Sequence, residues 1–445
     1  MNKNSLFKYC YISGGIVVLL SLFSLTILPK LMLIFLALGM CMFLIGFLFC
    51  TDRRLDIIFL LVLATECFYI PTGGVTAQDL FVLFTLLLIL KMFLHRSKRT
   101  DGIYKFTIFL LIFLAFASSV NATSVFAQTY INSIFPLRHY LILLLFFVLV
   151  DWLERGYKID KYLIITSFIA LSLFTIQYLL YNKIQFLSIP HVSERLGEYR
   201  MHFQTLTPIL GAMVAFNSFI NREKGLFKWF SLLVYLTGLL FTVFINQTRT
   251  YMFGLILSAV LIYILSNTSL KNKLKVSLGV VLILIVLFPL YINPITEMVQ
   301  SSYTEIQTDS GNYGVRQNAI NYYLTLGKEH LIWGNGLINL KAGSLGMLPG
   351  YFKGYFWVDI GVYGLFFLHG LLGVFWYGWV LRMLLKDYKN SIKSNRVYII
   401  GYAAFGVMTA TTVGVFYFYL FPTIYCLAIH QFTQRENLDI NLKEI

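Results

Sequence analysis

The chain predicts an all-α polytopic membrane protein, a single integral membrane domain over residues 1–445 with about 14 transmembrane helices (12–14). Three observations carry that expectation. The sequence is 58% hydrophobic and only 12% charged over 445 residues, against about 25% charged in soluble domains. Its apolar residues fall in serial runs close to the roughly 20 residues that cross a bilayer as a helix. Its Lys and Arg residues, the source of a net charge of +15, alternate between dense and sparse connections. A soluble enzyme, a disulfide scaffold and a disordered chain are excluded by that composition. Cys10, Cys41, Cys50, Cys67 and Cys426 lie inside apolar runs, and no candidate loop holds a pair.

The first run extends from about Tyr9 to Leu28 behind Lys3 and Lys8, and a second follows at once from Leu31 to Cys50. No small-residue cleavage site separates them, so they predict a retained helical hairpin rather than a removed targeting segment. Further runs follow at 55–70, 79–94, 106–120, 139–152, 162–181, 204–220, 229–245, 250–266 and 276–293. After a polar interruption come 355–381, 397–412 and 415–431, the last blurred by Pro422. Two connections exceed ordinary turns, 182–203 and 294–354. The second is far longer than usual connections and is expected to be functional. Tyr322, Tyr323, Leu324, Leu326, Leu331, Ile332 and Trp333 predict ordered short helices on the membrane surface within it.

Placing the N-terminus in the cytoplasm puts 25 of the 35 Lys and Arg residues on the cytoplasmic side and ten on the other. Cytoplasmic connections favour Lys and Arg, so both termini are expected inside, and most of the basic charge is topogenic. No polar domain interleaves basic and stacking aromatic residues, so no nucleic-acid partner is expected.

The ten exceptions carry the functional signal. They include Arg138, Arg195, Arg200, Arg249 and Arg316, all beside apolar runs. Arg249 stands in Asn-Gln-Thr-Arg-Thr-Tyr, residues 246–251, where a guanidinium near hydrocarbon is either an interfacial anchor or a functional group. Its place on the sparsely basic side favours function. Arg195 and Arg200, with Glu194 and Glu198 beside them, are either surface ion pairs or anion ligands. Arg316 opens an amphipathic segment running to Gly327, whereas Arg138 fits an anchor. Arginine's planar fork matches phosphate oxygens and keeps its charge near lipid, so converging outer arginines suit a pyrophosphate headgroup. Gly334-Asn-Gly336 predicts a backbone turn, and Gly361, Gly364, Gly370 and Gly373 predict close helix packing. Glu66, in the middle of a run, is expected to pair within the bundle, while Asp359 faces the outer side. His369 and His430 fit packing roles. No metal-ligand cluster is evident on the outer loops, and no cofactor is expected.

Three segments resemble the O-antigen polymerase and O-antigen ligase superfamily, the Wzy-type bacterial polysaccharide polymerases. Thr248-Arg249-Thr250 looks like the family's Ser/Thr-Arg-Thr at the outer start of a span. Gly314-Val-Arg-Gln-Asn-Ala-Ile-Asn-Tyr-Tyr323, followed by Lys328-Glu-His-Leu-Ile-Trp-Gly-Asn-Gly336, resembles its arginine-led helix ending in a Gly-x-Gly turn. Asp359-Ile-Gly-Val-Tyr-Gly364 resembles the acidic start of the next span, and Arg195-Leu-Gly is a looser match to an earlier outer arginine. The chain departs from the ligases, which carry a histidine shortly before that span, since none falls between His330 and His369. The departure favours a polymerase.

The resemblance implies a GT-C-like, metal-independent membrane glycosyltransferase of the bacterial cytoplasmic membrane. It would transfer a growing glycan from undecaprenyl pyrophosphate onto an undecaprenyl-pyrophosphate-linked oligosaccharide repeat unit at the extracytoplasmic face, in capsule, exopolysaccharide or O-antigen synthesis. A ligase or a lipid-linked oligosaccharide flippase are the alternatives. Arg249, Arg316 and Arg195, with Arg200 next, would clamp the pyrophosphate. His330 is the first candidate for the catalytic base, with Asp359 and Glu305 behind it. Membrane lipid, a flippase and chain-length regulator proteins are the expected partners.

Overall fold

A computed structural model describes residues 3–24, 29–50, 52–66, 76–94, 102–187, 191–195, 198–221, 225–271, 311–339 and 350–443, together with Leu348 and scattered positions between 273 and 308. The apolar run at 276–293 lies almost wholly outside the described residues.

The runs become helices because their backbone polar groups have no partner in lipid except one another. Helices α1 (Lys3–Ser24) and α2 (Pro29–Phe49) form the expected hairpin. They cross at small residues: a Cβ at Gly46 would collide with the backbone of Tyr11, and one at Gly14 with that of Phe43. Helix α3 (Arg53–Leu63) is shorter than its apolar run and stops at an Ala64 cap. Helices α4 (Ala77–Leu94) and α5 (Gly102–Val125) follow. The next crossing is composite: α6 (Tyr130–Ile134), a 3-10 stretch (Phe135–Leu144) opened by Pro136, and α7 (Leu145–Glu154).

After α8 (Ile159–Leu179), the connection at 182–203 holds an antiparallel hairpin, β1 (His191–Arg195) and β2 (Glu198–His202), with Ser193 opposite Arg200. An all-helical expectation missed it. Helices α9 (Leu206–Asn221), α10 (Leu226–Phe244) and α11 (Arg249–Leu265) then pack against one another. The late connection supplies α12 (Gly311–Gly327), as Arg316 and the residues after it predict. Finally come α13 (Val362–Leu385), α14 (Tyr388–Lys393), α15 (Tyr398–Thr409), α16 (Val415–Phe418) and α17 (Leu420–Lys443).

Among the described residues six helical segments are long and apolar enough to cross a membrane, and five shorter apolar helices accompany them. The protein is thus an all-α membrane bundle with, among the described residues, one small hairpin.

Charge pairs tie one end of the bundle. Asp56 is fully buried, with Lys91 Nζ at 3.0 Å from each carboxylate oxygen, Arg53 at 3.3 Å and the Tyr11 hydroxyl donating at 2.6 Å. Lys91 also lies over the Phe47 ring at 4.2 Å. At the same end Arg53 N–H approaches the Tyr157 hydroxyl, Tyr398 and Tyr425 donate to Asp160, and Arg435 pairs with Glu154. Asp79 stands in the first turn of α4, at its opposite end, twelve residues from Lys91, which is about 18 Å along a helix.

Helix α13 is broken at Gly370, with φ +64. Residues 331–336 fill the gap. Asn335 and Gly336 N–H groups donate to the Phe367 and Leu368 carbonyls, and Leu371 and Leu372 N–H groups donate to Leu331 and Ile332. The Gly334-Asn-Gly336 turn forms as predicted, with φ +71 and +97 at its glycines. A Cβ at Gly334 would lie 2.4 Å from His369 N, so only glycine lets the two backbones meet. Buried His369 bonds the Ser118 and Tyr140 hydroxyls at 2.7 and 2.8 Å, fixing α5 and the composite crossing against the break.

Candidate functional site

The connection before α11 is the site's foundation. Its Gln247 adopts φ +47, and Asn246 bonds Thr205 while accepting from the Thr248 hydroxyl. This tight turn sets Arg249 at the first position of α11. The hairpin lies against the same connection through Met201 N–H to Ile245 O. Arg200, on β2, then donates from Nε to Asn246 O at 2.8 Å and from NH2 to the Thr248 hydroxyl at 3.1 Å. Arg200 and Arg249, 49 positions apart in sequence, are therefore neighbours.

Arg249 reaches Glu305 at 3.2 Å, with both side chains mostly enclosed. Glu305 in turn lies against the start of α12, since a Cβ at Gly311 would sit 3.0 Å from its Cγ. Five residues later, about one and a half turns, α12 presents Arg316, half-buried. The helix is held by Tyr323, whose ring lies 4.7 Å from that of Phe367 and whose hydroxyl donates to Tyr355 O.

Asp359 occupies a 3-10 turn, Trp357–Ile360, just ahead of α13. The turn is fixed because Gly361 takes φ +53 against Ala410 O, Val362 N–H donates to that carbonyl, and the Tyr417 hydroxyl donates to Gly361 O. Its carboxylate reaches solvent yet is enclosed enough that burial raises its pKa above the ordinary carboxylate value, while Arg316 and Arg200 pull it down. The two arginines therefore act on one carboxylate from two separate connections. Among the described residues Asp359 has no ion pair within 4 Å, so the arginines stand around it without closing on it.

Of the residues expected from sequence, Arg200, Arg249, Arg316, Glu305 and Asp359 converge. The side chain of Arg195 lies outside the described residues. His330 does not join them: it sits in a 3-10 turn past the far end of α12, fourteen positions and on the order of 20 Å from Arg316. Glu305 is engaged with Arg249 rather than poised as a base.

Beside this cluster opens a cavity of 420 Å³ that composition alone did not signal. Trp357 and Val358 form its near wall, Tyr417 and Tyr419 line it, and Glu66, Arg138 and His139 lie along it. Arg138, expected as an interfacial anchor, instead bonds Asp79 at 2.6 Å and lies over the Phe135 ring at 3.6 Å. Asp79 is held in place by a capping box, accepting from Thr76 N–H and hydroxyl while its own N–H is received by that hydroxyl. Glu66, expected to pair inside the bundle, lines the cavity, and no cation among the described residues lies within ion-pair distance of it. Its signal in the sequence was a carboxylate inside an apolar run, which does not reveal where the helix ends.

Chemically, two guanidinium groups act on one solvent-reaching carboxylate, with Arg249 and its partner Glu305 on the adjoining connection, and a guanidinium fork is shaped to meet anionic oxygens in pairs. Among the described residues no group of three or more His, Cys, Asp or Glu could hold a metal ion. No protein-family model and no curated protein matches the chain.

Proposed function

We propose that the protein is a glycan polymerase of the membrane. It moves a growing glycan from a polyprenyl pyrophosphate onto a lipid-linked repeat unit, at the extracytoplasmic face, with both termini in the cytoplasm. The observation that carries this reading is the convergence of Arg200 and Arg316 on Asp359, with Arg249 on the adjoining turn. A di-anionic headgroup needs several guanidinium donors at the edge of the hydrocarbon, whereas a neutral substrate does not.

In the reaction, an acceptor hydroxyl attacks the anomeric carbon, and the bond from that carbon to the pyrophosphate oxygen breaks. Charge grows on the leaving oxygen, and fixed guanidinium groups stabilise it more than they stabilise the ground state. Asp359 sets the net charge of the cluster: ionised, it offsets one arginine and lets the spent polyprenyl pyrophosphate leave.

Broken helices also mark transporters. In α13, however, the freed backbone groups are taken by residues 331–336 and not offered to a ligand, so the break supports a scaffold role.

A strain lacking the protein tests the reading through its glycan ladder. Single exported repeats are expected. Long chains retained on the lipid carrier would show a ligase, and absence of any exported repeat would show a flippase.

A further inference from the structure

We propose that the 420 Å³ cavity is the acceptor-saccharide subsite and that Glu66 takes the proton from the attacking hydroxyl. The inference rests on the polymerase reading and assigns the half of the reaction that the arginines leave unserved.

The backbone gives the first reason. Helix α3 ends at Ala64, whose carbonyl accepts from the Thr207 hydroxyl, and Glu66 then adopts φ +48. That left-handed position after a helix is normally held by glycine or asparagine. A glutamate there is strained by about 1 kcal/mol or more, and strain of this kind clusters where a side chain must be aimed. Here it aims a carboxylate into the cavity.

The second reason is the carboxylate's company. Among the described residues its titratable neighbours are Asp79, Arg138 and His139 on α4 and the composite crossing, with Tyr140, Tyr417 and Tyr419 on the other walls. Arg138 is committed to Asp79 and to Phe135 O. Among the described residues no cation pairs with Glu66, and its side chain lines the cavity, as a proton acceptor requires.

The lining supplies the third. Phe135, Trp357 and Phe418 offer flat apolar faces, and Gln78, Gln204 and Asn339 offer amide donors and acceptors. Ring faces with polar edges suit a sugar. An isoprenoid tail would gain nothing from the amides and would desolvate the carboxylate.

Position completes the argument. Tyr419 is within electrostatic reach of both Glu66 and Asp359, so one side chain stands between the cavity and the arginine cluster. A displacement needs its base on the far side of the anomeric carbon from the leaving group. Asp359 lies with the arginines, and Glu66 lies on the cavity lining beyond Tyr419.

The step balances. The acceptor oxygen forms the new bond to the anomeric carbon, and its proton passes to the Glu66 carboxylate. The electron pair of the broken bond stays on the pyrophosphate oxygen between the arginines, and Glu66 returns its proton to water through the cavity.

The test uses the full-length protein in liposomes with a polyprenyl-pyrophosphate-linked repeat unit. Glu66→Gln is expected to bind that lipid within about threefold of wild type while turnover falls by about 100-fold or more. The acid limb of the pH–rate profile should vanish, and Glu66→Asp should recover part of the rate. A photoreactive phenylalanine analogue at Phe418 should cross-link saccharide, read as a glycosidase-sensitive adduct. Normal turnover with an unchanged profile in Glu66→Gln overturns the base, and an adduct carrying only isoprenoid overturns the subsite. If wild type itself makes no polymer, the polymerase reading fails, and the cross-link still decides what fills the cavity.

Discussion

Asp56 and Asp359 are each surrounded by two cations, yet they sit at opposite ends of the bundle in opposite states. Asp56 is fully buried and closed upon: Lys91, Arg53 and the Tyr11 hydroxyl lie at 2.6–3.3 Å. Asp359 reaches solvent, and Arg200 and Arg316 act on it without contact. The first arrangement uses every lone pair to tie α1, α3 and α4 together. The second leaves the carboxylate without a direct ion pair among the described residues. Similar charges thus make a closed fastening in one place and an open cluster in the other, and the difference lies in whether the partners have closed.

The sharpest way to break that comparison is to remove one partner at each end. Lys91→Ala leaves Asp56 buried with a single cation and should cost about 3–5 kcal/mol of stability, read as a large fall in thermal midpoint in detergent. If the midpoint held, the Asp56 cluster would not be the fastening described. Arg316→Ala should leave the midpoint within a few degrees of wild type but reduce polymer formation about 100-fold or more, the scale of removing one donor from a developing anion. A loss of stability equal to that of Lys91→Ala would make Arg316 structural. Arg249→Lys keeps the charge but loses the fork, so an intermediate fall of about tenfold in turnover is expected.

The smallest effect concerns pH. Burial holds the Asp359 pKa above the ordinary carboxylate value, against the pull of Arg316 and Arg200. As pH falls through that raised value, the carboxyl becomes neutral and the arginine charge is uncompensated. Affinity for a polyprenyl pyrophosphate should then rise about fivefold, the equivalent of about 1 kcal/mol. In Asp359→Asn the increment should be absent, as binding titrations over a series of pH values from neutral into the acid range would show.

Much of the Asp359 end was legible in the sequence because charge beside hydrocarbon is costly and therefore conspicuous. Arg249, Arg316 and Asp359 announced themselves in that way, and the span periodicity placed them at helix starts. Arg138 was equally conspicuous but was misjudged, since its partner Asp79 arrives from another helix. His330 was drawn in by proximity along the chain, and the length of α12 removes it. Glu66 was misread because nothing in Leu-Ala-Thr-Glu marks a helix end: no glycine or proline stands there. The hairpin at 191–202 was hidden by its polar composition, and the pairing of Gly370 with Gly334 lay between residues 36 positions apart.

That last pairing bears on how the chain is assembled. When α13 enters the membrane, the carbonyls of Phe367 and Leu368 and the N–H groups of Leu371 and Leu372 have no partners within the helix itself, and each orphan in lipid costs several kcal/mol. Their partners, residues 331–336, are synthesised first. The order of translation therefore delivers the patch before the gap, and a tag inserted within 331–336 would leave the nascent span incomplete at the moment of its insertion.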